Sequence, residues 1–302
     1  MPHDSPSAFL ADLPDNALLA ITGDDATAFL HGQLTNDVAA MGTGEAQWNG
    51  WCTAKGRLLA TLLLVKRPDG YLAMLPAEIA PAIAKRLGMF VLRSKVKIRD
   101  AGGELRAHGL AGHGAADLAR GLESEPDLAV SRIGDGLFVV IAPPDDARVE
   151  ALRAKARPGR IDDWHRALIH AGIPTIVAAT QEAFVPQMAN LDLVGGVSFH
   201  KGCYPGQEIV ARTQYRGGLK RRMALAHVEG DAPAPGQSLF SPAFGEQSAG
   251  TVVNAAPDPA GGYDLLVVAQ IESLREGALT LGAPGGAPLS IRSHPASEPA
   301  AS

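Results

Sequence analysis

Apolar positions in the first two thirds of this chain recur with two alternating periods, which predicts mixed α and β structure. Asn16–Thr22 reads as a strand, and Gly23-Asp24-Asp25 opens a helix with Ala26, Phe29, Leu30 and Leu34 on one face. Residues 57–66 are almost continuously apolar and read as a buried strand, with 70–75 returning beside it as a hairpin. Ile79, Ile83, Leu87 and Phe90 recur at helical spacing, whereas residues 95–99 alternate as a half-exposed strand does. Residues 137–141 predict a further strand and 144–156 a helix with Val149 and Leu152 inward. Asp162-Asp163 caps a helix carrying Trp164, Leu168 and Ala171 on one face, closed by Gly172 before Pro174.

Past residue 226 the helical period disappears. Short strand-like runs at 250–254, 263–271 and 288–291 are separated by Gly, Pro and Asp, the pattern of a small antiparallel barrel or sandwich. Residues 227–302 hold eight acids against two bases, while the whole 302-residue chain carries a net charge of −5. The expected organisation is therefore a domain over 1–226 built of interleaved α+β pieces, a barrel over 227–292 and a disordered tail over 293–302.

Composition narrows the class further. At 46% hydrophobic and 20% charged the chain is ordinary for a soluble protein. The run at 58–65, apolar except for Thr61, is too short to span a bilayer, and the N-terminus lacks a secretory pattern. Two cysteines fit a reducing cytoplasm and cannot by themselves ligate an ordinary iron–sulfur cluster or structural zinc. Neither G-x-x-x-x-G-K-S/T, complete G-x-G-x-x-G, C-x-x-C, H-E-x-x-H nor G-x-S-x-G occurs, which weakens nucleotide, dinucleotide, zinc and serine-hydrolase readings.

The chemistry is concentrated in residues 199–222, where six basic residues face one acid around Cys203. Tyr204-Pro205-Gly206-Gln207 has the residues of a type II turn, which places Cys203 on a tight loop with Lys201 two residues away. Glu208 is expected to begin a strand, Glu-Ile-Val-Ala-Arg212, near the mouth of any site built there. Cys52, by contrast, reads as a small buried hydrophobe.

The run Lys201-Gly-Cys-Tyr-Pro-Gly-Gln-Glu208 resembles the signature of the YgfZ family, folate-binding relatives of the glycine-cleavage T-protein. The match continues through Ala171-Gly-Ile-Pro174, Phe184-Val-Pro-Gln187, Asn190-Leu191, Gly195-Gly-Val-Ser-Phe199, Val210-Ala-Arg212 and Arg216-Gly217. In the N-terminal part it takes in Ile21-Thr-Gly23, His31-Gly-Gln-Leu-Thr-Asn-Asp-Val38 and Ala54-Lys-Gly56. It implies a folate-binding α+β domain of the T-protein type with a central channel for tetrahydrofolate, then a β-barrel. It also implies a role in assembling or repairing iron–sulfur clusters in client enzymes, including a tRNA-modifying one.

On this reading Cys203, with Lys201, carries the chemistry. Trp164, Tyr204, Gln207, Glu208 and Arg212 would meet the folate, Trp164 by stacking and Gln207 or Glu208 through the pteridine's amino-pyrimidine edge. Two departures stand out: a second folate-associated tryptophan expected near Asn16 is absent, and residues 56–61 lack the T-protein's catalytic aspartate. The absent acid disfavours the alternative, a folate-dependent transferase or demethylase using Cys203 covalently. Direct RNA binding through the bases of 212–222 and Tyr215 is weaker still in an acidic chain, so contact with RNA metabolism is expected through the client.

Overall fold

The computed structural model describes residues 8–122, 127–216 and 218–293. Its first two strands are neighbours in sequence but enter different sheets. β1 (Phe9–Asp12) crosses into one sheet while β2 (Asn16–Thr22) stays in the other. After β2 come α1 (Ala26–Gln33), β3 (Ala46–Cys52), β4 (Leu58–Arg67), β5 (Gly70–Pro76), α2 (Ala80–Gly88) and β6 (Lys97–Asp100), giving a sheet of order β3-β4-β5-β2-β6. The second half-unit supplies β7 (Arg106–Ala111), α3 (Ala115–Arg120), β8 (Ala129–Gly134), β9 (Leu137–Ala142), α4 (Ala147–Arg153) and β10 (Arg157–Gly159). With β1 inserted these make the sheet β10-β1-β7-β9-β8, in which β1 runs parallel to β10 and antiparallel to β7.

The near-continuous apolar run of β4 reflects burial on both faces. Leu63 and Val65 point into a core shared by the two sheets, while Leu62 and Leu64 point into a core under α1 and α2. On the far side of the second sheet, Ala115, Ala119, Val149 and Leu152 of α3 and α4 close another core. The result is four layers, helices–sheet–sheet–helices.

The helix α5 (Ile161–His170) joins these layers to the rest of the chain. Its N-terminus is capped by Asp163, which accepts from the Arg160 backbone N–H at 2.9 Å. Trp164 and Leu168 enter the core between the sheets, whereas Ile169 enters a core shared with the C-terminal barrel. Trp164 is 1% exposed and lies flat against Gly109 of β7, where a Cβ would come within 2.3 Å of the indole.

After α6 (Gln207–Arg216) the chain forms a barrel from β11 (Arg221–Val228), β12 (Ser238–Phe240), β13 (Gly250–Pro257), β14 (Tyr263–Gln270), β15 (Thr280–Leu281) and β16 (Ala287–Ser293). The order β11-β14-β13-β12-β15-β16 is closed and every pairing in it is antiparallel. The expected α+β fold with a C-terminal antiparallel barrel is the fold observed.

Two elements differ from expectation. Residues 208–212 are helical rather than a strand. The long straight-chain residues Gln207, Glu208, Arg212 and Gln214 lose little freedom in a helix, and Glu208 in its first turn suits the positive end of the dipole. The barrel segment also contains a short α-helix, α7 (Ile271–Glu276), with Leu274 packed into the barrel core. Of the expected disordered tail, residues 294–302 lie outside the described residues.

Candidate functional site

Cys203 is exposed, on the turn that the sequence places there. Gln207 N–H donates to Tyr204 O at 3.1 Å, and Gly206 has φ +80°, the value the third position of a type II turn demands. The turn rests on a second one: a Cβ at Gly206 would come within 2.4 Å of Thr53 O and 2.6 Å of Gly56 Cα. Behind that second turn lies Cys52, 2% exposed, its thiol pushed up to about 12 by burial.

Lys201 is not a solvated neighbour of the thiol. It is 8% exposed, and its ammonium donates to the carbonyls of His31 and Leu34, the latter at 2.7 Å, where α1 ends. A cation there satisfies two terminal carbonyls and complements the helix dipole. The Tyr204 ring lies 5.1 Å away on another side. Burial holds the Lys201 amine down at about 8, against a smaller opposing pull from Asp37. Burial also raises the Tyr204 hydroxyl above the usual phenol range.

The same contact brings in two residues that no spacing rule singles out. His31 Nδ1 lies 3.2 Å from Asp37 Oδ1, and the position of a Cβ on Gly202 falls 3.7 Å from His31 Nε2. An imidazole with an acid behind it therefore borders the segment carrying Cys203. The only sequence signal was their membership of the His31–Val38 run, 170 residues upstream of Lys201.

The other expected site residues divide. Glu208 and Arg212 lie exposed one helical turn apart on α6, and Gln207 is partly buried at its start. Val210 of the same helix is buried, its carbonyl accepting from Gln187 Nε2 at 2.7 Å. Trp164 is 1% exposed, its indole packed in the core between the sheets and against Gly109. The basic run likewise disperses. Arg222 is drawn inside, donating to both oxygens of Asp192 at 3.0–3.1 Å, while Lys220 faces solvent.

A cleft of about 890 Å³ opens along α5, outside the thiol turn. Ala167 and His170 of α5 form one wall, the Gly112–Gly114 and Gly134–Gly136 turns another, and Leu193 and Val194 a third. Cys203 is not among its lining residues. The third wall nevertheless leads to the thiol: Gly195 O and Gly196 O accept from Asn36 Nδ2 and Thr35 Oγ1, both at 2.6 Å. Those residues directly follow Leu34, whose carbonyl holds Lys201.

Where α5 meets the barrel, Asp264 is completely buried beneath three donors. Arg166 Nε approaches at 2.8 Å, His170 Nε2 at 2.6 Å and His227 Nδ1 at 2.9 Å. Burial alone would raise this carboxyl, but hydrogen bonds from His170, His227 and Arg166 outweigh it and bring it to about 2. His227, Asp258 and Asp264 have ligand atoms within 4.8 Å of one another. Arg166 already spans the two carboxylates, reaching Asp258 at 3.2 Å, so an internal cation meets their charge.

No family model matches the chain. It is 36% identical over 248 residues to the tRNA-modifying protein YgfZ of Enterobacter sp. (strain 638), covering 76% of this chain and 75% of that protein. The YgfZ of Klebsiella pneumoniae (strain 342) is 32% identical over 246 residues, with 76% and 75% covered. Among solved structures, the glycine cleavage system aminomethyltransferase T of Bartonella henselae superposes with a TM-score of 0.76 at 19% identity. That match covers 97% of this chain and 87% of the other, a likeness of fold.

Proposed function

The chain belongs to the YgfZ family, and from that premise we propose that it is a tetrahydrofolate-binding accessory protein serving tRNA-modifying enzymes that carry iron–sulfur clusters. Cys203 is its functional thiol, and the observation that carries this is the thiol's exposure on a turn locked from both sides. Lys201 and Tyr204 are anchored inside, Gly206 is seated on Gly56, and the cysteine side chain between the two anchors faces outward. A rigidly presented thiol suits transient bonding to iron in a client's cluster, with the remaining ligands coming from the client.

The reduced folate is assigned to the α5 cleft. Its volume lies within the range for small-molecule sites, and apolar walls from Ile133, Leu137, Ile173 and Val194 alternate with a few polar groups, as a pterin requires. When bound, tetrahydrofolate supplies amines that take up one-carbon units. The contacts through Gly195, Gly196, Thr35 and Asn36 give ligand in the cleft a physical route to the base of the thiol turn. Direct one-carbon transfer gains no support from β4: at the stretch where a carboxylate would be wanted stands Thr61, whose hydroxyl donates to Pro174 O at 2.9 Å. The amino-terminal α+β layers are thus the folate-binding part and the barrel a separate module behind α5. No helix in the described residues is long and apolar enough to cross a membrane.

Calorimetric titration with tetrahydrofolate tests the first half of this proposal: saturable binding supports it, and none at millimolar ligand defeats it. For the second half, Cys203→Ser should bind tetrahydrofolate like wild type yet fail to sustain an iron–sulfur tRNA-modifying enzyme in a depleted extract. Full support from the serine variant would remove the thiol from the mechanism.

A further inference from the structure

His170 belongs to both features at this end of the molecule. Its imidazole lines the α5 cleft and is 39% exposed, while its Nε2 is 2.6 Å from an Asp264 oxygen inside the barrel junction. An ionised carboxylate can only accept, so His170 Nε2 must carry a proton. In the neutral ring Nδ1 is then a bare acceptor, and no hydrogen bond to it occurs among the described residues. Arg166 and His227 crowd the same carboxylate, and Asp258, Glu229 and Arg292 stand around them, so the Asp264 oxygens have little freedom to turn.

We propose that Asp264 is a positioning residue for ligand binding in the α5 cleft. It fixes the tautomer and orientation of His170 so that Nδ1 is presented to an N–H edge of the bound pterin. This deepens the folate reading and rests on it. It moves recognition of the donor-bearing edge away from Gln207 and Glu208, which lie on α6 and do not line the cleft. It also makes the barrel a participant in binding, because β14 supplies the group that aims the imidazole.

Two substitutions separate the ends of the ring. Gln at 170 can still donate to Asp264 from its terminal amide but has nothing where Nδ1 was. Asn at 170 places a polar atom near the Nδ1 position but is too short to reach Asp264. Tetrahydrofolate titrations and thermal melts on the full chain are expected to show His170→Gln melting with wild type but binding about tenfold more weakly. His170→Asn should melt lower yet bind more tightly than His170→Gln. A purely structural histidine gives the opposite order, with the Gln variant normal in both.

A double-mutant cycle then tests the positioning. Asp264→Asn should weaken binding in the wild-type background, measured well below its melting point, and add almost nothing to His170→Gln. Additive losses, or a Gln variant that binds normally, overturn the inference while leaving folate binding intact. A wild-type protein that does not bind tetrahydrofolate overturns both.

Discussion

Lys201 and Asp264 are both ionisable groups taken out of water, at the thiol turn and at the barrel junction, and they are held by opposite means. The Lys201 ammonium meets neutral carbonyls and an aromatic ring, with one acid nearby, so burial dominates and its amine falls to about 8. The Asp264 carboxylate meets Arg166, His170 and His227, whose donors overcome burial and hold it near 2. Near neutral pH Asp264 is firmly charged, whereas Lys201 stands close to losing its proton. Removal from water thus gives a permanent anchor in one region and a poised cation in the other. The difference is that Arg166 brings a formal charge to Asp264, whereas the carbonyls that hold Lys201 bring none.

The largest expected effect comes from breaking the anchor. Asp264→Ala leaves Arg166 and two histidines without their acceptor, and loss of one partner from a buried ionic cluster costs roughly 3–5 kcal/mol. Chemical denaturation at pH 7 measures it. The folded pKa is depressed from 3.8 to about 2, so this contribution is present above about pH 3.8 and is lost as pH falls through 2. The gap between wild type and variant should therefore close in that window. A gap that stays constant down to pH 2 would mean that Asp264 matters for packing and not for charge.

Lys201→Met is milder because its partners are uncharged: two helix-end carbonyls lose a donor, but a desolvated charge goes with it. A net loss of about 2 kcal/mol is expected. The depressed amine again fixes the sign. Keeping the buried amine charged costs stability at pH 8 and below, and that cost is relieved as pH rises from 8 to 10.5. Raising the pH from 8 to 10.5 should stabilise wild type relative to the variant, and a parallel pair of curves would break the contrast with Asp264.

How far each region could be read from the sequence follows the same division. The thiol turn was legible because its information is local: Pro205 and Gly206 dictate the backbone, and Gly206 has the positive φ its position implies. The β4–β5 hairpin, the capped helix α5 and the barrel strands were legible through period and punctuation. The partners of the buried charges were not, since Lys201 meets α1 across 170 residues and Asp264 meets His170 across 94. The burial of Trp164 was hidden for a related reason. Its helical face is plain in the sequence, but only the fold shows that Gly109 opens a slot for the indole. The strand expected from Glu208 failed where the apolar pair Ile209-Val210 outweighed its polar neighbours; Val210 alone is buried, and Ile209 lies along Gly56.

Backbone seating at the turn gives the third test. In Gly206→Ala the new methyl would meet Thr53 O and Gly56 Cα at a φ that disfavours any side chain. A loss of about 1–2 kcal/mol is expected, together with looser presentation of Cys203. Faster native-state proteolysis or amide exchange at 201–208 would register that loosening. An Ala variant as stable and as protected as wild type would show that the turn is not seated as described.

The smallest expected effect on stability falls on the residue argued to matter most. Cys203 is exposed, so Cys203→Ser should change unfolding free energy by less than about 0.5 kcal/mol. Its reactivity is where it should stand apart from Cys52. In folded protein iodoacetamide should label Cys203 and spare Cys52, which is 2% exposed and held at about 12 by burial. Peptide mass spectrometry over a labelling time course reads both sites at once, and adding denaturant should bring Cys52 into reaction only as the protein unfolds. Equal labelling in the native state would mean that the sheet edge behind the turn opens on its own. The rigid seat beneath Gly206, and with it the contrast between an internal thiol and a presented one, would then be lost.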